Sequence, residues 1–534
     1  MMSIHDAIDI ALKNIATHGD TDIFPFPIEK MIFHDLHDKC KDLLLDMHNN
    51  FSDNISRFPP ETLETLTQVG YTGFRWATQI QPFWNAYYLA LTVQIAQEIE
   101  SQRIPVDEKT VYSYRYCWNA DDAKLFTDSS WSDYRRRSHE LSKEYKFVLI
   151  TDIADFYPRI YHHRLENALS RLPNSGDTYK RIMTLLGSFS KNVSYGLPVG
   201  GPASRLLSEL SIDSTDKMLA RRKVKYCRYA DDYCIFCNDK AEAYRLLVNL
   251  SESLFTEGLV LQKNKTKIIS TEEFSAATKL LDPADINDPI ATDEQKLLNV
   301  SLRYDPYSET ADDDYDSLKL ALKEIDIIGI LGREVAKTTI DSSVTKQAIK
   351  AIKLLPQIQQ YSAIRTLIDE GNLNVLSPVF ISVMRCLSAT YENMEEYQKQ
   401  FIDSELIKLY DADFYLLRVD LNLSFFIQAL SQRKAPRKEE ILIELYERKT
   451  SPLIKKQIIM IMSAWNCHYW LTNIKTRYAG LSSWEKSYFI GASYSLGDEG
   501  KHWRNHVKST WSPMDSIVRC WFADRANHNR SIPI

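Results

Sequence analysis

The chain has 534 residues and a mass of 61.9 kDa, more than a single hydrophobic core usually serves, so at least two domains are expected. Hydrophobic residues at 44% and charged residues at 25% exclude a disordered chain and a fibrous repeat, and no apolar run of about 18 residues suggests a membrane span. A net charge of −6 gives no general basic character, so any affinity for nucleic acid must rest on local clusters.

The N-terminus, MMSIHDAIDIALKNIATHGD, carries acidic residues where a secretory leader has a basic start and an apolar block. Eight cysteines are scattered along the chain rather than gathered into a disulfide framework. Both features point to a cytoplasmic protein with free thiols. Arg135, Arg136 and Arg137 form one basic cluster. Arg221, Arg222, Lys223, Lys225 and Arg228 form a second, and the plainest reading of each is a solvated basic face.

The β-branched and aromatic run KFVLITDI (146–153) is expected as a strand that leads straight into Asp152. A carboxylate ending a buried strand is costly to desolvate unless a cation or a basic group meets it. In YCRYADDYCIFC (226–237), two short strands flank Ala230, Asp231 and Asp232 as the turn of a hairpin. Adjacent aspartates repel, and a shared divalent cation relieves that repulsion; an ordinary polar turn is the alternative. Residues 241–255 have the apolar spacing of an amphipathic helix.

Asp-Pro pairs at 282, 288 and 305 and the run Asp312, Asp313, Asp314 mark an acidic connection over 282–316. Beyond it the segments 317–331, 345–355, 439–449 and 452–465 read as helices, the last with Ser451 as N-cap and Pro452 in the first turn. Stacked helix pairs are expected there, although no clean repeat period is visible. The late tryptophans 465, 470, 484, 503, 511 and 521 suit either core packing or base stacking. Cys234 and Cys237 sit at odd spacing on a strand, and His162 and His163 lack partners, so neither pair is expected to hold a metal.

Phosphoryl transfer by two metals needs carboxylates from separate segments converging on ions about 3.5 to 4 Å apart. Asp152 with Asp231 and Asp232 supplies such a set, and magnesium suits oxygen donors of this kind. These stretches resemble the palm of a reverse transcriptase: TDIADFYP (151–158) is similar to motif A and YADDY (229–233) to motif C. Between and after them, SYGLPVGGPASRLLSEL (194–210) resembles motif B and GLVLQKNKTKI (258–268) motif D, all in the family's order.

The resemblance implies an α+β fingers and palm region over 1–285, followed by an all-α helical-repeat domain over 286–534 in place of a conventional thumb. It implies that Asp152, Asp231 and Asp232 bind Mg2+ with the backbone carbonyl of Ile153, and that Tyr157 is the steric gate that excludes a 2′-hydroxyl. Gly200, with Gly196 and Gly201, would let the incoming nucleotide or template approach the backbone closely. Lys265 would neutralise the pyrophosphate leaving group, and Arg115 would contact the triphosphate.

Val199 stands where the family commonly has glutamine after the motif B proline. That departure, the VYSYR stretch (111–115) and the helical tail resemble the bacterial reverse transcriptases of abortive infection and antiviral defence. The resemblance implies DNA synthesis that is RNA-directed, untemplated or protein-primed. It also implies assembly with itself, with a partner reverse transcriptase or with a noncoding RNA. An RNA-synthesising enzyme on the same palm and a catalytically silent RNA-binding or scaffolding module remain the alternatives; Tyr157 argues against the first and the intact aspartates against the second.

Overall fold

Four short strands rich in β-branched and aromatic residues form the sheet on which the predicted site is built. A computed structural model describes residues 2–25, 27–127, 131–173, 175–191, 193–278, 292–299, 325–528 and 530. Its strands, in chain order, are β1 (Thr62–Val69), β2 (Gly73–Ile80), β3 (Tyr116–Asn119), β4 (Lys124–Phe126), β5 (Phe147–Asp152), β6 (Tyr226–Tyr229), β7 (Asp232–Cys237) and β8 (Lys267–Ser270). The last four pair antiparallel in the order β6-β7-β5-β8, while β1-β2 and β3-β4 are separate two-stranded sheets.

The chain divides into two compact units. The first comprises Met1–Glu64, Ala77–Thr278 and His506–Pro533. At its centre lies the helix Pro82–Gln94, started by a proline in the first turn and buried along its whole length. The helices Ile4–His18, Gly176–Phe189 and Pro202–Arg221 pack around it. The first of these opens with Ser3 accepting the Asp6 amide at 3.2 Å and stops at Gly19, whose φ of 87° few other residues adopt readily. The helix Lys240–Thr256 covers the predicted span 241–255, with Asp239 as its N-cap accepting from the Glu242 amide at 2.7 Å.

The C-terminal helix Pro513–Asn527 also belongs to this unit and packs on Glu29–Asp35 and His37–Asn49. Trp521 donates its indole N–H to Asp35 at 2.7 Å. That tryptophan is core, as are the buried Trp470 and Trp484.

The second unit comprises Thr65–Trp76 and Lys279–Asn505. Its described residues outside the hairpin tip hold helices joined by short turns, with no strand among them, and alternate helices pair, as Phe380–Thr390 does with Asp420–Leu430 and Pro452–Ala464 with Ser483–Ala492. Pro452 does sit in the first turn with Ser451 at the N-cap, but the Ser451 side chain makes no capping bond. Ser482 caps the helix Ser483–Ala492 in a reciprocal box with Glu485. Most of the acidic connection and residues 317–324 of the expected helix lie outside the described residues; within the connection, Asp293–Asn299 is helical.

Candidate active site

β5 is one of the two inner strands of the sheet, with β7 on one side and β8 on the other. Its register sets Asp152 directly opposite Asp232. Beyond that pair the ladder continues through the amide of Ile153, which donates to the Asp231 carbonyl at 3.0 Å. Ala230 and Asp231 form the turn between β6 and β7, and Ala230 holds a φ of 51°, the left-handed region that an alanine enters at a cost of about 1 to 2 kcal/mol. Motif A and motif C are thus fixed to one another by backbone hydrogen bonds, with Asp231 and Asp232 half-buried and Asp152 buried.

The electrostatics follow from that packing. Burial, and then the neighbouring carboxylates of Asp231 and Asp152, push the Asp232 carboxyl up to about 7, against the pull of Lys265. The Lys265 ammonium reaches over to the Asp152 carboxylate. Its burial would lower its pKa, but Asp152 and then Asp232 and Asp231 outweigh this and raise it. All three aspartates therefore act on one cation.

Among the described residues no three His, Cys, Asp or Glu side chains already stand as a finished ligand set, Asp152 being turned to Lys265. The donors are all oxygen and the repulsion between them is relieved by positive charge, which fits a hard divalent cation.

Motif B closes against motif A. The Leu197 amide donates to the Tyr157 carbonyl at 2.9 Å, the Gly196 amide to the Ile160 carbonyl at 2.9 Å, and a ring nitrogen of His162 lies 2.7 Å from the Gly196 carbonyl. Tyr157 is half-buried beside Tyr114, Ser208 and Arg205; burial first, and then Tyr114, raise its hydroxyl pKa far above the ordinary value. The Arg205 guanidinium lies 5.2 Å from the Tyr114 ring centre and bonds to Asp22 at 2.6 Å.

Gly200 has a φ of 115°, and a Cβ there would lie 2.4 Å from Thr21 Oγ1 and 3.2 Å from Ile23 Cδ1. The room that its missing side chain leaves is used by the chain's own N-terminal segment.

Arg115 is not brought to the aspartates. It is 2% exposed, and its guanidinium donates to Glu100 at 2.9 Å and to the carbonyls of Val111 and Ile104 at 3.0 and 2.7 Å. Arg228, taken from the sequence as part of a solvated basic face, is completely buried between Glu209 and Asp216 of the motif B helix. The reason is that β6 is covered on both faces, Tyr226, Cys227 and Arg228 all being buried. Glu209 and Asp216, seven residues apart on one helix, share a face with the apolar Leu206, Leu210 and Ile212 nearby, and that spacing is the one signal in the sequence that a buried base faces them.

Residues 27–302 match the family described as reverse transcriptase (RNA-dependent DNA polymerase). No curated protein matches. Among solved structures, a telomerase from Candida albicans, in complex with a TWJ fragment of telomeric RNA, is similar at 10% identity with a TM-score of 0.30. The alignment covers 64% of this chain and 64% of the telomerase chain. With more than half of its length matched, in the segment that holds Asp152, Asp231 and Asp232, the chain belongs to the reverse transcriptase (RNA-dependent DNA polymerase) family.

Proposed function

We propose that the protein is a DNA polymerase that adds deoxynucleotides by phosphoryl transfer at Asp152, Asp231 and Asp232. The observation that carries this reading is the register of β5 against β7, which sets Asp152 opposite Asp232 with Asp231 on the adjoining turn. Reverse transcriptase domains use divalent metal ions, and here Mg2+ would be held by the three aspartates with the Ile153 carbonyl. When bound, such ions activate the attacking hydroxyl and stabilise charge on the phosphorus oxygens.

The protein's own groups do the rest. Tyr157 lies under the sugar and disfavours a 2′-hydroxyl. Lys265, already drawn to the carboxylates, supplies positive charge for the departing pyrophosphate. Gly200 gives Thr21 and Ile23 room to pack on the motif B loop, and that packing would set where the loop stands beside the template or nucleotide. Arg115 shapes the fingers through its buried pair with Glu100 rather than by touching the triphosphate.

At the molecular level we assign residues 1–285 to fingers and palm and 286–534 to a helical region standing in place of a thumb, save the C-terminal helix Pro513–Asn527, which packs within the first unit. VYSYR, Val199 and the paired helices support placement in the antiviral, abortive-infection group of bacterial reverse transcriptases, acting in the cytoplasm against phage. Among the described residues no helix is long and apolar enough to cross a membrane. The partners are nucleic acid, as DNA product and noncoding RNA template, and a second copy or a partner reverse transcriptase.

The deciding experiment is incorporation of each labelled dNTP and rNTP by purified protein with Mg2+, comparing wild type with Asp231→Ala plus Asp232→Ala. Incorporation of dNTPs that disappears in the double variant is expected. Failure to incorporate any nucleotide, with RNA or a partner chain supplied, would refute the polymerase reading. Loss of phage resistance in cells carrying the same double variant tests the defence role.

A further inference from the structure

Behind the Asp231–Asp232 turn lies a sealed group of charges that the proposed chemistry does not use. Arg228 and Glu209 are each 0% exposed, Asp216 is 3% exposed and Arg103 is 5% exposed. An arginine has five N–H donors. In Arg228, Nε donates to Asp216 Oδ1 at 3.0 Å, and Nη2 donates to Asp216 Oδ2 at 2.6 Å and Glu209 Oε2 at 2.8 Å. Nη1 donates to Glu209 Oε1 at 3.3 Å and to the Ala230 carbonyl at 2.8 Å.

That last bond falls on the left-handed residue immediately before the aspartate pair. Glu209 is held in turn by Arg103 at 2.5 Å and by the Ser113 hydroxyl at 2.6 Å.

The same network explains what the VYSYR stretch does. Val111 bridges Arg228 in parallel register; the Arg228 amide donates to the Thr110 carbonyl at 2.7 Å and the Tyr112 amide to the Arg228 carbonyl at 3.0 Å. Residues 110–113 therefore clamp Arg228 from its backbone while Ser113 orients the glutamate that holds its side chain. Burying four charges for stability alone is a poor bargain, since apolar residues of similar volume commonly serve as well or better. A bond to one carbonyl, aimed by a rigid fork, is what only arginine supplies here.

We propose that Arg228 is a positioning residue for the metal-binding pair, fixing the Ala230 carbonyl so that Asp231 and Asp232 are presented at one angle to the cation, with Glu209, Asp216 and Ser113 as its own supports. The inference rests on the polymerase reading of the three aspartates. It makes the motif B helix and the 110–113 segment supports of motif C.

The test compares wild type, Arg228→Lys, and Arg228→Met combined with Asp216→Asn. The combined variant removes one charge of each sign and leaves Arg103 paired with Glu209. Thermal melting, Mn2+ binding read from the free-ion electron paramagnetic resonance signal, and kcat and KM for dNTP incorporation are measured on each.

The combined variant is expected to fold, to bind Mn2+ about tenfold more weakly, and to lose kcat by about 10- to 100-fold with little change in KM. Arg228→Lys, which keeps the charge but loses the fork, should lose kcat by about tenfold or more. A folded combined variant with wild-type Mn2+ binding and kcat overturns the proposal. If that variant fails to fold, Arg228→Lys decides, and wild-type behaviour there overturns it. Wild-type protein that neither binds Mn2+ nor incorporates would sink the polymerase reading itself, and the positioning role with it.

Discussion

Lys265 shows how one residue can serve two states of a site. Without a metal, three clustered carboxylates need a positive partner, and the lysine on the turn before β8 reaches back to Asp152 to provide it. On the proposed reading, a bound metal would take over the carboxylates and leave the same ammonium free to face the leaving group. Lys265→Met is therefore expected to lower kcat for dNTP incorporation by about 10- to 100-fold while moving KM little, measured by steady-state kinetics. That Asp152, Asp231, Asp232 and Lys265 would converge was legible in the sequence, because each sits at a strand end or on the short turn beside one. The burial of Arg115 and Arg228 was not, because neither an arginine expected to meet a triphosphate nor one in a run of basic residues carries a local mark of its depth. Only the covering of β6 on both faces, and the acids seven residues apart on the motif B helix, show that Arg228 is an interior group.

At the scale of elements, strand and helix type followed from periodicity, but close approaches between elements did not. The β-branched run of β5 and the amphipathic spacing of Lys240–Thr256 are local properties, so they are readable. That Thr21 and Ile23 would lie against Gly200, some 180 residues away in the chain, is a tertiary fact with no local signature.

Gly200→Ala meets both a left-handed backbone and a Cβ placed 2.4 Å from Thr21 Oγ1. It should destabilise the protein by about 1 to 3 kcal/mol in urea unfolding, whatever it does to nucleotide binding. In the helical unit, Ser482 bonds its own amide and hydroxyl to Glu485 at 3.1 and 2.6 Å, while Glu485 also accepts from Tyr446 at 2.9 Å. Ser482→Ala should cost about 1 kcal/mol by the same measurement. Ser451→Ala should cost less, because that N-cap makes no side-chain bond.

For the molecule as a whole, the response to acid separates groups that composition treats alike. Partial burial raises the Asp9 carboxyl, but hydrogen bonds from Lys13 and His37 outweigh it and bring it down to about 2. Its contribution is complete above the ordinary aspartate range and is lost only as pH falls toward 2. His48 acts in a milder window. Burial, and then the Arg181 guanidinium 3.1 Å from its Nδ1, push it down to about 4.

Arginine can only donate, so Nδ1 must accept, and the ring is held neutral with its proton on Nε2. The unfolded chain takes up that proton near the ordinary histidine value, so stability is fully present above about 6.5 and falls as pH drops toward 4. Asp232, raised to about 7, runs the other way, binding its proton more tightly in the folded state and favouring folding as pH falls through that value. A single melting curve therefore mixes the two, and a difference between variants isolates one.

His48→Asn keeps an acceptor near Nδ1 but cannot be protonated. Between pH 7 and 5 the wild-type melting temperature should fall relative to this variant by roughly 1 to 3 °C, read by calorimetry at matched ionic strength. Parallel curves across that window would show that the Arg181 contact does not hold His48 neutral.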